Sequence, residues 1–335
     1  MAGEPEISIV IPTLGRLELL RRVLDRLERQ TGASRSFAVI VVADAMQREV
    51  DPIDRALAGR NFQTRRLQGA KAGASAARNV GWRAATTPLI LFLDDDILPE
   101  PALVAEHLDW HRRHRAPEIG VLGHVRWADE LRVTPFMRWL EQGIQFNYPG
   151  IQGTEADWGW FYTANASVKR SIVERAGGFD EDRLPFGYED LDLALRMRDF
   201  GFRLLYNRSA VAEHVHPMDL DFWKRRVARI AVSERAFLRL HPDFRPHFYE
   251  LFSRAATDPP ARGAGERLAR FVPSWFPFLG APVWRSADAV YRQALAPPFL
   301  DAWQQARNAE GQAEGAPLSG WGGSSAAGSE PGGPK

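Results

Sequence analysis

The chain has 335 residues, a formal net charge of +1 and no cysteine. A chain of this length can form two domains or one large one. The nearly balanced charge provides no overall attraction for nucleic acid, so no nucleic-acid partner is expected. The lack of cysteine excludes disulfides, thiol catalysis and thiolate metal ligands, which leaves Asp, Glu, His and substrate oxygens to hold any metal ion.

The N-terminal third of the sequence predicts strands that alternate with helices. Strands are predicted at 7–11, 37–42, 61–67 and 89–93, and helices at 17–27, 51–57 and 74–85. This alternation is typical of an α/β protein with a mostly parallel sheet and helices on both faces. Ligands of such sheets bind beyond the carboxyl ends of the strands.

Polar residues stand at three of these predicted strand ends. Pro12 and Thr13 follow the first strand, Asp44 follows the second, and 94–96 is a run of three Asp after the fourth. Buried carboxylates are costly without partners. Divalent cations such as Mn²⁺ or Mg²⁺ prefer oxygen ligands and often share them with substrate phosphates. The run therefore predicts a metal and diphosphate site, and the alternative is a helix N-terminus that favours acids.

A segment rich in small residues lies between Asp44 and the Asp run. Gly73 and its small neighbours would let the backbone approach a ligand, and Lys71 and Arg78 could offset phosphate charge. A plain helix of small residues packed on the sheet is the alternative interpretation.

The alternation fades after Glu100, and the later elements are less regular. A helix is predicted at 101–115, strands at 120–126 and 161–168, a helix at 189–200, an edge strand at 203–207 and helices over 217–305. The last residues, 309–335, are rich in Gly, Ser, Pro and Ala and predict a disordered tail.

Three further groups of residues are candidates for chemistry. Glu189 and Asp190 open the helix at 189–200, where they either serve as a general base or stabilise the helix dipole. His214, paired with His216 on one strand face, could contact a metal or phosphate. Trp158, Trp160 and Asn165 could stack on and hydrogen-bond to a sugar, and the alternative for the rings is ordinary packing.

Taken together, these motifs resemble the inverting family 2 glycosyltransferases of the GT-A fold. The resemblance covers roughly residues 6–217, and eight elements stand in the family's order. They are Ser8–Thr13, Val41–Asp44, Gly73–Gly81, Leu93–Asp96, Thr163–Ser167, Gly177–Glu181, Glu189–Asp190 and His214. The resemblance implies a GT-A Rossmann-like sheet with a helical C-terminal extension.

The resemblance also implies a role for each matching residue. It implies that Thr13 and Asp44 contact the nucleoside of a nucleoside-diphosphate sugar, that Arg78 lies near the base or diphosphate, and that Asp94 approaches the ribose. It also implies that Asp96 binds the metal with His214 close by, and that Arg78 or Lys71 stabilises the leaving diphosphate. Asp190, beside Glu189, would be the catalytic base. Asp95 remains an alternative metal ligand, since three consecutive Asp leave the Asp-x-Asp register open.

Two departures from the family pattern affect these expectations. Ala43-Asp44-Ala45-Met46 stands where members often carry Asp-Asp-Gly-Ser, which alters base or ribose recognition. The Gln-x-x-Arg-Trp motif of processive synthases is absent, since Pro135 occupies the glutamine position before Arg138-Trp139. The resemblance therefore implies a non-processive enzyme with a saccharide, lipid-linked or small-molecule acceptor. A sugar nucleotidyltransferase and an inactive carbohydrate-binding or scaffold module are the rival hypotheses.

The expected organisation has four parts. Residues 1–105 form the donor-binding half of the GT-A domain, 106–217 the acceptor-binding half, 218–308 a helical region, and 309–335 the tail. No signal peptide or membrane-spanning run is expected, which predicts a cytoplasmic protein. A basic, amphipathic stretch within 221–300 could contact the inner face of a membrane, and a solvated basic face is the alternative.

Overall fold

The computed structural model describes residues 4–33, 36–261, 264–272 and 278–315. The strands are β1 Ile7–Thr13, β2 Phe37–Ala43, β3 Gln63–Gln68, β4 Leu89–Leu93, β5 Ile97–Pro99, β6 Ile119–Trp127, β7 Glu155–Ala156, β8 Asn165–Lys169 and β9 Arg203–His214. The helices are α1 Leu17–Glu28, α2 Asp51–Leu57, α3 Ala74–Ala84, α4 Leu103–Arg113, α5 Pro135–Leu140, α6 Arg170–Arg175, α7 Glu189–Arg198, α8 Leu220–Leu240, α9 His247–Thr257, α10 Ala264–Leu268 and α11 Gly280–Gly315.

The strands form one mixed sheet. Their order is β3-β2-β1-β4-β8-β6-β9-β5, with β7 beside β9. The first four strands are parallel to one another, β4 pairs with β8 in antiparallel fashion, and β6 pairs with β9 in parallel. The predicted α/β class, with a parallel sheet in the N-terminal half, is confirmed.

The ninth strand differs from its prediction. Residues 203–207 were expected to form a short edge strand, but β9 has 12 residues and lies between β6 and β5. Its register against β6 shifts between Gly123 and His124, so that 208–210 bulge out of the ladder. The polar run from Asn207 to Ser209 reads in sequence as the end of a strand, because a bulge interrupts the alternation of apolar residues.

Small residues allow α3 to lie directly on the sheet. A Cβ atom on Gly81 would stand 2.3 Å from a methyl group of Val10 in β1, so only glycine permits this approach. Just before α3, Gly73 has a φ of +113°, and a Cβ there would stand 2.6 Å from the Pro185 carbonyl oxygen. These contacts bring the start of α3 to the carboxyl ends of β1 and β2.

Apolar side chains form two clusters. One surrounds the sheet, and the other joins the C-terminal helices to α5 and to the chain around Leu184 and Tyr188. α11 continues to Gly315, so 309–315, predicted to be disordered, are helical, and 316–335 lie outside the described residues. No described helix combines the length and apolar character that a bilayer crossing requires.

Candidate active site

The three carboxylates after β4 lie at the carboxyl end of the parallel strands. Asp95 has no solvent exposure, Asp96 is nearly buried and Asp94 is half-buried. The hydroxyl of Thr13, at the end of β1, donates a hydrogen bond to Asp95 Oδ2 at 2.7 Å. Because β1 and β4 are parallel neighbours, their ends meet, as the sequence predicts. Pro12 stands beside Thr13 on the same strand.

A basic residue that the sequence analysis did not select, Arg16, lies against this acidic cluster. It forms an ion pair with Asp95 at 2.7 Å and another with Asp96. Burial raises the pKa of Asp95 to about 7, although the charge of Arg16 acts in the opposite direction. In the sequence, only the position of Arg16 three residues after Thr13 indicates that it could lie near the site. Arg16 is in a loop, and the path of a loop follows no periodic pattern that would predict its contacts.

Asp96 and His214 form the candidate metal pair. His214 Nε2 lies 4.0 Å from Asp96 Oδ2, because Ile97 is the β5 partner of His214 and the Val215 amide donates to the Asp96 carbonyl. His214 Nδ1 is buried without a hydrogen-bond partner, and burial lowers the pKa of the ring. The ring is therefore held neutral, which is the form that binds metals.

This pair fits a divalent cation only in part. A carboxylate oxygen and an imidazole nitrogen 4.0 Å apart can bind one ion, and Mg²⁺ often takes few protein ligands and completes its shell with water and substrate phosphates. Among the described residues no group of three or more His, Asp or Glu side chains surrounds a metal position. The donor set therefore suits an ion that arrives with a diphosphate.

Asp44 organises the loop that leads into α3. Its Oδ2 accepts a hydrogen bond from the Gly73 amide at 2.7 Å, and its Oδ1 accepts one from the Met46 amide at 2.8 Å. The side chain is nearly buried at the end of β2. Asp44 thus lies at the predicted edge of the sheet, where it fixes backbone beside the candidate donor site.

Arg78 joins the two acidic parts of the site. Its guanidinium donates to Asp94 at 2.9 Å and to Glu189 at 2.9 Å, and only 4% of the residue is exposed. α3 therefore ties the end of β4 to the first turn of α7. Asp94 and Glu189 are 95 positions apart in sequence, and in the structure they lie on either side of the Arg78 guanidinium.

Asp190 stands beside Glu189 in the first turn of α7. The preceding residue, Tyr188, has a φ of +65°, a left-handed conformation that a tyrosine adopts only where its surroundings hold it. Burial raises the pKa of Asp190 to about 7, with a further contribution from Glu189 and an opposing one from Arg78. A carboxyl group with a pKa near neutrality is suited to accept a proton.

Four other predicted residues lie apart from this cluster. Lys71 is half-exposed and pairs with Asp182 and Glu181. Asn165 is fully buried, and its amide is engaged by His107 and the Ala210 carbonyl, so no atom remains to contact a sugar. The remaining two are Trp158 and Trp160, which are half-buried in one 3-10 turn.

The two tryptophans have different neighbours. The ring of Trp158 lies 6.1 Å from that of Phe244 and under Arg198, and the indole nitrogen of Trp160 donates to the Asn147 carbonyl. Both rings are therefore partly engaged in packing. The turn contacts α7, the helix that begins with Glu189 and Asp190.

Comparison with known proteins gives a consistent result. Residues 8–177 match the model of Glycosyl transferase family 2. The chain is 27% identical over 283 residues to validoxylamine A glucosyltransferase of Streptomyces hygroscopicus, covering 73% of this chain and 63% of that protein. It is 29% identical over 245 residues to pre-mycofactocin glycosyltransferase of Mycobacterium tuberculosis, covering 71% and 48%. The chain thus spans less than two thirds of these curated relatives.

The architecture also resembles a solved structure. A mannosyltransferase from Pyrobaculum calidifontis in complex with GDP-Man and Mn²⁺ superposes with a TM-score of 0.50, at 18% identity, over 94% of this chain and 77% of that one. At this identity the likeness establishes the GT-A fold. The expected sheet, with its helical C-terminal extension, is confirmed.

Proposed function

Since the chain belongs to glycosyltransferase family 2, we propose that it transfers a sugar from a nucleoside-diphosphate sugar to an acceptor hydroxyl, with inversion, metal dependence and a single transfer per encounter. One observation carries the proposal. Arg78 bridges Asp94 and Glu189, so the acidic end of β4 and the candidate base of α7 line one cluster. A nucleotide bound at the strand ends would present its sugar to Asp190.

The donor side of this cluster is built from strand ends. Thr13, Asp44 and Asp94 stand at the ends of β1, β2 and β4, where parallel sheets bind nucleotides. We assign the nucleoside to this edge, with Thr13 and Asp44 near the base and Asp94 near the ribose. Arg78 forms ion pairs with two carboxylates. We therefore propose that it positions these acids and offsets negative charge near the diphosphate.

Asp96 and His214 would hold the divalent cation, Mn²⁺ or Mg²⁺. When bound, such an ion stabilises the negative charge of the leaving diphosphate. Asp95 is the less suited ligand, since it is fully buried and both of its oxygens contact Thr13 or Arg16, whereas Asp96 pairs with Arg16 through Oδ2 alone. We therefore propose the third member of the Asp run as the metal ligand.

Asp190 acts as the base in a single displacement. It removes the proton of the acceptor hydroxyl, and the oxygen forms a bond to the anomeric carbon from the face opposite the diphosphate. The bond between that carbon and the phosphate oxygen breaks, and the nucleoside diphosphate leaves with the electron pair. The anomeric configuration inverts, and Glu189 beside the base is held by Arg78.

The acceptor is proposed to lie on the side of α7 and the turn at 158–160. Trp158 and Trp160 offer partly exposed aromatic surface on which a saccharide face could stack. Two relatives are named validoxylamine A glucosyltransferase and pre-mycofactocin glycosyltransferase, and the first of these names supports a hexosyl donor. Saccharide, lipid-linked and small-molecule acceptors are the candidates.

The testing experiment is a thermal-shift screen of nucleoside diphosphates and nucleotide sugars with and without Mn²⁺. We expect a metal-dependent rise in the unfolding temperature for one base, since a ligand at a hundredfold excess over its Kd stabilises by about 2.7 kcal/mol. The rise should vanish in Asp96→Ala and persist in Asp129→Ala, an exposed control. No rise with any nucleotide contradicts the donor site, and pyrophosphate release with a sugar 1-phosphate would indicate a nucleotidyltransferase.

A peripheral membrane contact is the second part of the proposal. Leu268, Phe271, Phe278 and Leu279 are at least half-exposed, and Phe278 is 97% exposed. Arg267 and Arg270 flank them, which suits an anionic bilayer surface. These residues include parts of the stretch at 271–284, which carries no charged residue and of which the structure describes 271–272 and 278–284.

Flotation with anionic vesicles tests the membrane contact. The double variant Phe271→Ser with Phe278→Ser should abolish flotation of the protein with the vesicles. Recovery of the unmodified chain only in the dense fraction contradicts the contact.

A further inference from the structure

An arginine of the C-terminal region points into the same acidic neighbourhood. Arg226 lies on α8, which begins six residues after His214 and beyond the residues 8–177 that match the family model. Trp223 and Val227 on the same helix are fully buried. Arg226 is mostly buried, and its Nε atom is shielded from solvent without a hydrogen-bond partner.

Aromatic rings enclose the guanidinium of Arg226. Its central carbon lies 5.2 Å from the ring centre of Phe186 and 5.6 Å from that of Trp223. Phe186 precedes Glu189 by three residues, and its carbonyl accepts a hydrogen bond from Ser233 of α8 at 2.5 Å. The helix is thus fixed against the segment that leads into the candidate base.

The charge of Arg226 acts on the acids of the site. Burial lowers the pKa of Arg226, and the charges of Glu189 and Asp96 act in the opposite direction. The ring of Phe222, one turn before Arg226 on α8, lies 5.3 Å from the ring of His216, and that ring lies 6.5 Å from the ring of His214. The turn of α8 that carries Arg226 is therefore packed beside the candidate metal pair as well as beside the segment that leads into the base.

The other arginines of the cluster are already paired. Arg78 is held by Asp94 and Glu189, and Arg16 by Asp95 and Asp96. Arg226 forms no ion pair with any residue that the structure describes. A buried charge without a partner is costly, so a protein that keeps one usually pairs it with a ligand.

We propose that Arg226 is a diphosphate-binding residue of the donor site, which donates hydrogen bonds from its guanidinium edge to the phosphate oxygens of the leaving group. The inference rests on the proposed nucleotide-sugar donor. A planar guanidinium can bind two phosphate oxygens at once, which a lysine cannot reproduce. Its position on α8 makes the C-terminal helical region part of the donor site.

The test compares Arg226→Gln and Arg226→Lys with Arg225→Gln, an exposed neighbour on the same helix. Calorimetry measures binding of UDP and GDP with Mn²⁺, and of uridine and guanosine as phosphate-free counterparts. We expect Arg226→Gln to weaken binding of the preferred diphosphate at least about tenfold, since hydrogen bonds to charged groups contribute about 1.5–3 kcal/mol. Nucleoside binding should stay unchanged, and Arg226→Lys should recover part of the loss.

Three outcomes distinguish failure of the inference about Arg226 from failure of the proposed donor site. Equal diphosphate binding by Arg226→Gln and Arg225→Gln overturns the inference and leaves the proposed donor site intact. Equal weakening of diphosphate and nucleoside binding, with a lowered unfolding temperature, also overturns it, because it assigns Arg226 a structural role. Lack of binding of either diphosphate to the unmodified chain overturns the proposed donor site and the inference with it.

Discussion

Asp95 and Asp190 are both carboxylic acids whose pKa is raised to about 7 by burial, but their neighbours differ. Asp95 is fixed by the Thr13 hydroxyl and by Arg16, so its oxygens are engaged. Among the described residues, Asp190 accepts hydrogen bonds from backbone amides alone, one of them from Leu191 to Oδ1 at 2.9 Å. Burial raises the pKa of both groups, and the carboxylate of Asp190, to which no described side chain donates a hydrogen bond, is the better proton acceptor.

The first prediction concerns the pH dependence of transfer. A base must be deprotonated to act, so kcat/KM should rise with pH up to about 7 and level off above it. Below pH 7 the rate should fall about tenfold per pH unit, because the active fraction of a single titrating base falls by that factor. Steady-state rates at saturating metal between pH 5.5 and 8.5 would measure the profile.

The matching variant is Asp190→Asn. We expect turnover to fall at least about 10²-fold, the low end for lost acid–base catalysis, with nucleoside-diphosphate binding retained. Asp199→Asn is the control, since Asp199 is exposed at the other end of α7. Near-normal turnover in Asp190→Asn, with the same pH profile, would remove Asp190 from the role of base.

At the scale of elements, α4 and β8 meet through a buried polar network. His107 contacts Ser167 at 2.8 Å and Asn165 at 2.9 Å, and His111 contacts the same Ser167 hydroxyl at 2.8 Å. Burial lowers the pKa of His107 to about 4 and that of His111 to about 2. Both rings are therefore neutral in the folded protein at neutral pH.

This network predicts acid sensitivity. The unfolded chain binds protons to these histidines below about pH 6.5, whereas the folded chain does so only near pH 4 and below. The free energy of unfolding should therefore be greatest above pH 6.5 and fall by about 1.4 kcal/mol per pH unit for each histidine as pH drops toward 4. Urea unfolding at pH 7.5, 6 and 5 would measure it.

A variant distinguishes the contribution of the buried histidines to acid sensitivity from the contribution of other titrating groups. His111→Asn removes one of the two rings, so the free energy of unfolding should depend less on pH, although it is lower at pH 7.5. His114→Asn changes an exposed ring on the same segment and should leave the pH dependence unchanged. Parallel curves for all three proteins would show that the buried histidines do not cause the acid sensitivity.

A second element-level prediction concerns Glu234 of α8, which is fully buried. Its carboxylate accepts hydrogen bonds from the Tyr188 hydroxyl at 2.5 Å and from the amides of Phe248 and Tyr249 at 2.8 and 2.9 Å. It thus links α8 and the start of α9 to the strained residue before Glu189. Losing a buried charged acceptor leaves its donors unsatisfied, which costs about 1–3 kcal/mol or more.

We therefore expect Glu234→Ala to lower the free energy of unfolding by at least about 2 kcal/mol, and turnover to fall because Tyr188 is released. Tyr188→Phe should lower turnover with a smaller loss of stability, since the two amide bonds to Glu234 remain. Urea unfolding and steady-state rates measure both, with the exposed Glu250→Ala as control. Unchanged turnover in a folded Glu234→Ala would show that Tyr188 needs no support from α8.

The sequence predicts strand ends well and side-chain networks poorly. Parallel strands meet at one edge, so the convergence of Thr13, Asp44 and 94–96 follows from element order alone. The burial of Asn165 beneath α4 depends on a helix 58 residues away in sequence, which no local pattern indicates. The same holds for the ion pairs of Arg16, whose acidic partners lie 79 and 80 positions further along the chain.

At the scale of the whole molecule, the C-terminal helices pack against the segment that leads into the candidate site. The family model ends at residue 177, before α7 and β9. α8 contributes Trp223 and Phe237 to an apolar cluster that also contains Leu184 and Tyr188, and its Glu234 accepts a hydrogen bond from the Tyr188 hydroxyl. The segment that carries the candidate base is therefore packed between the sheet and the C-terminal helices.

This packing predicts that residues 1–217 do not fold by themselves. Removal of the C-terminal helices would expose one face of Trp127 and Trp139, and it would take away the partners of Leu184 and Tyr188. Burial of each large apolar side chain contributes about 1.5–3 kcal/mol, so the loss of several such contacts is comparable to the about 5–15 kcal/mol that holds a typical domain together. Without α8, the Tyr188 hydroxyl also loses its buried acceptor.

The expected result is a chain of residues 1–217 that aggregates or binds a hydrophobic dye, without a cooperative thermal transition. Co-expression with residues 218–335 as a separate chain should restore a soluble complex, and that complex should recover metal-dependent nucleoside-diphosphate binding. Calorimetry and size-exclusion chromatography measure both results. A monomeric 1–217 chain that unfolds cooperatively and binds the nucleotide as tightly as the full chain would mean that the sheet alone positions Glu189 and Asp190, because Arg78 would then be sufficient to hold α7 against β4.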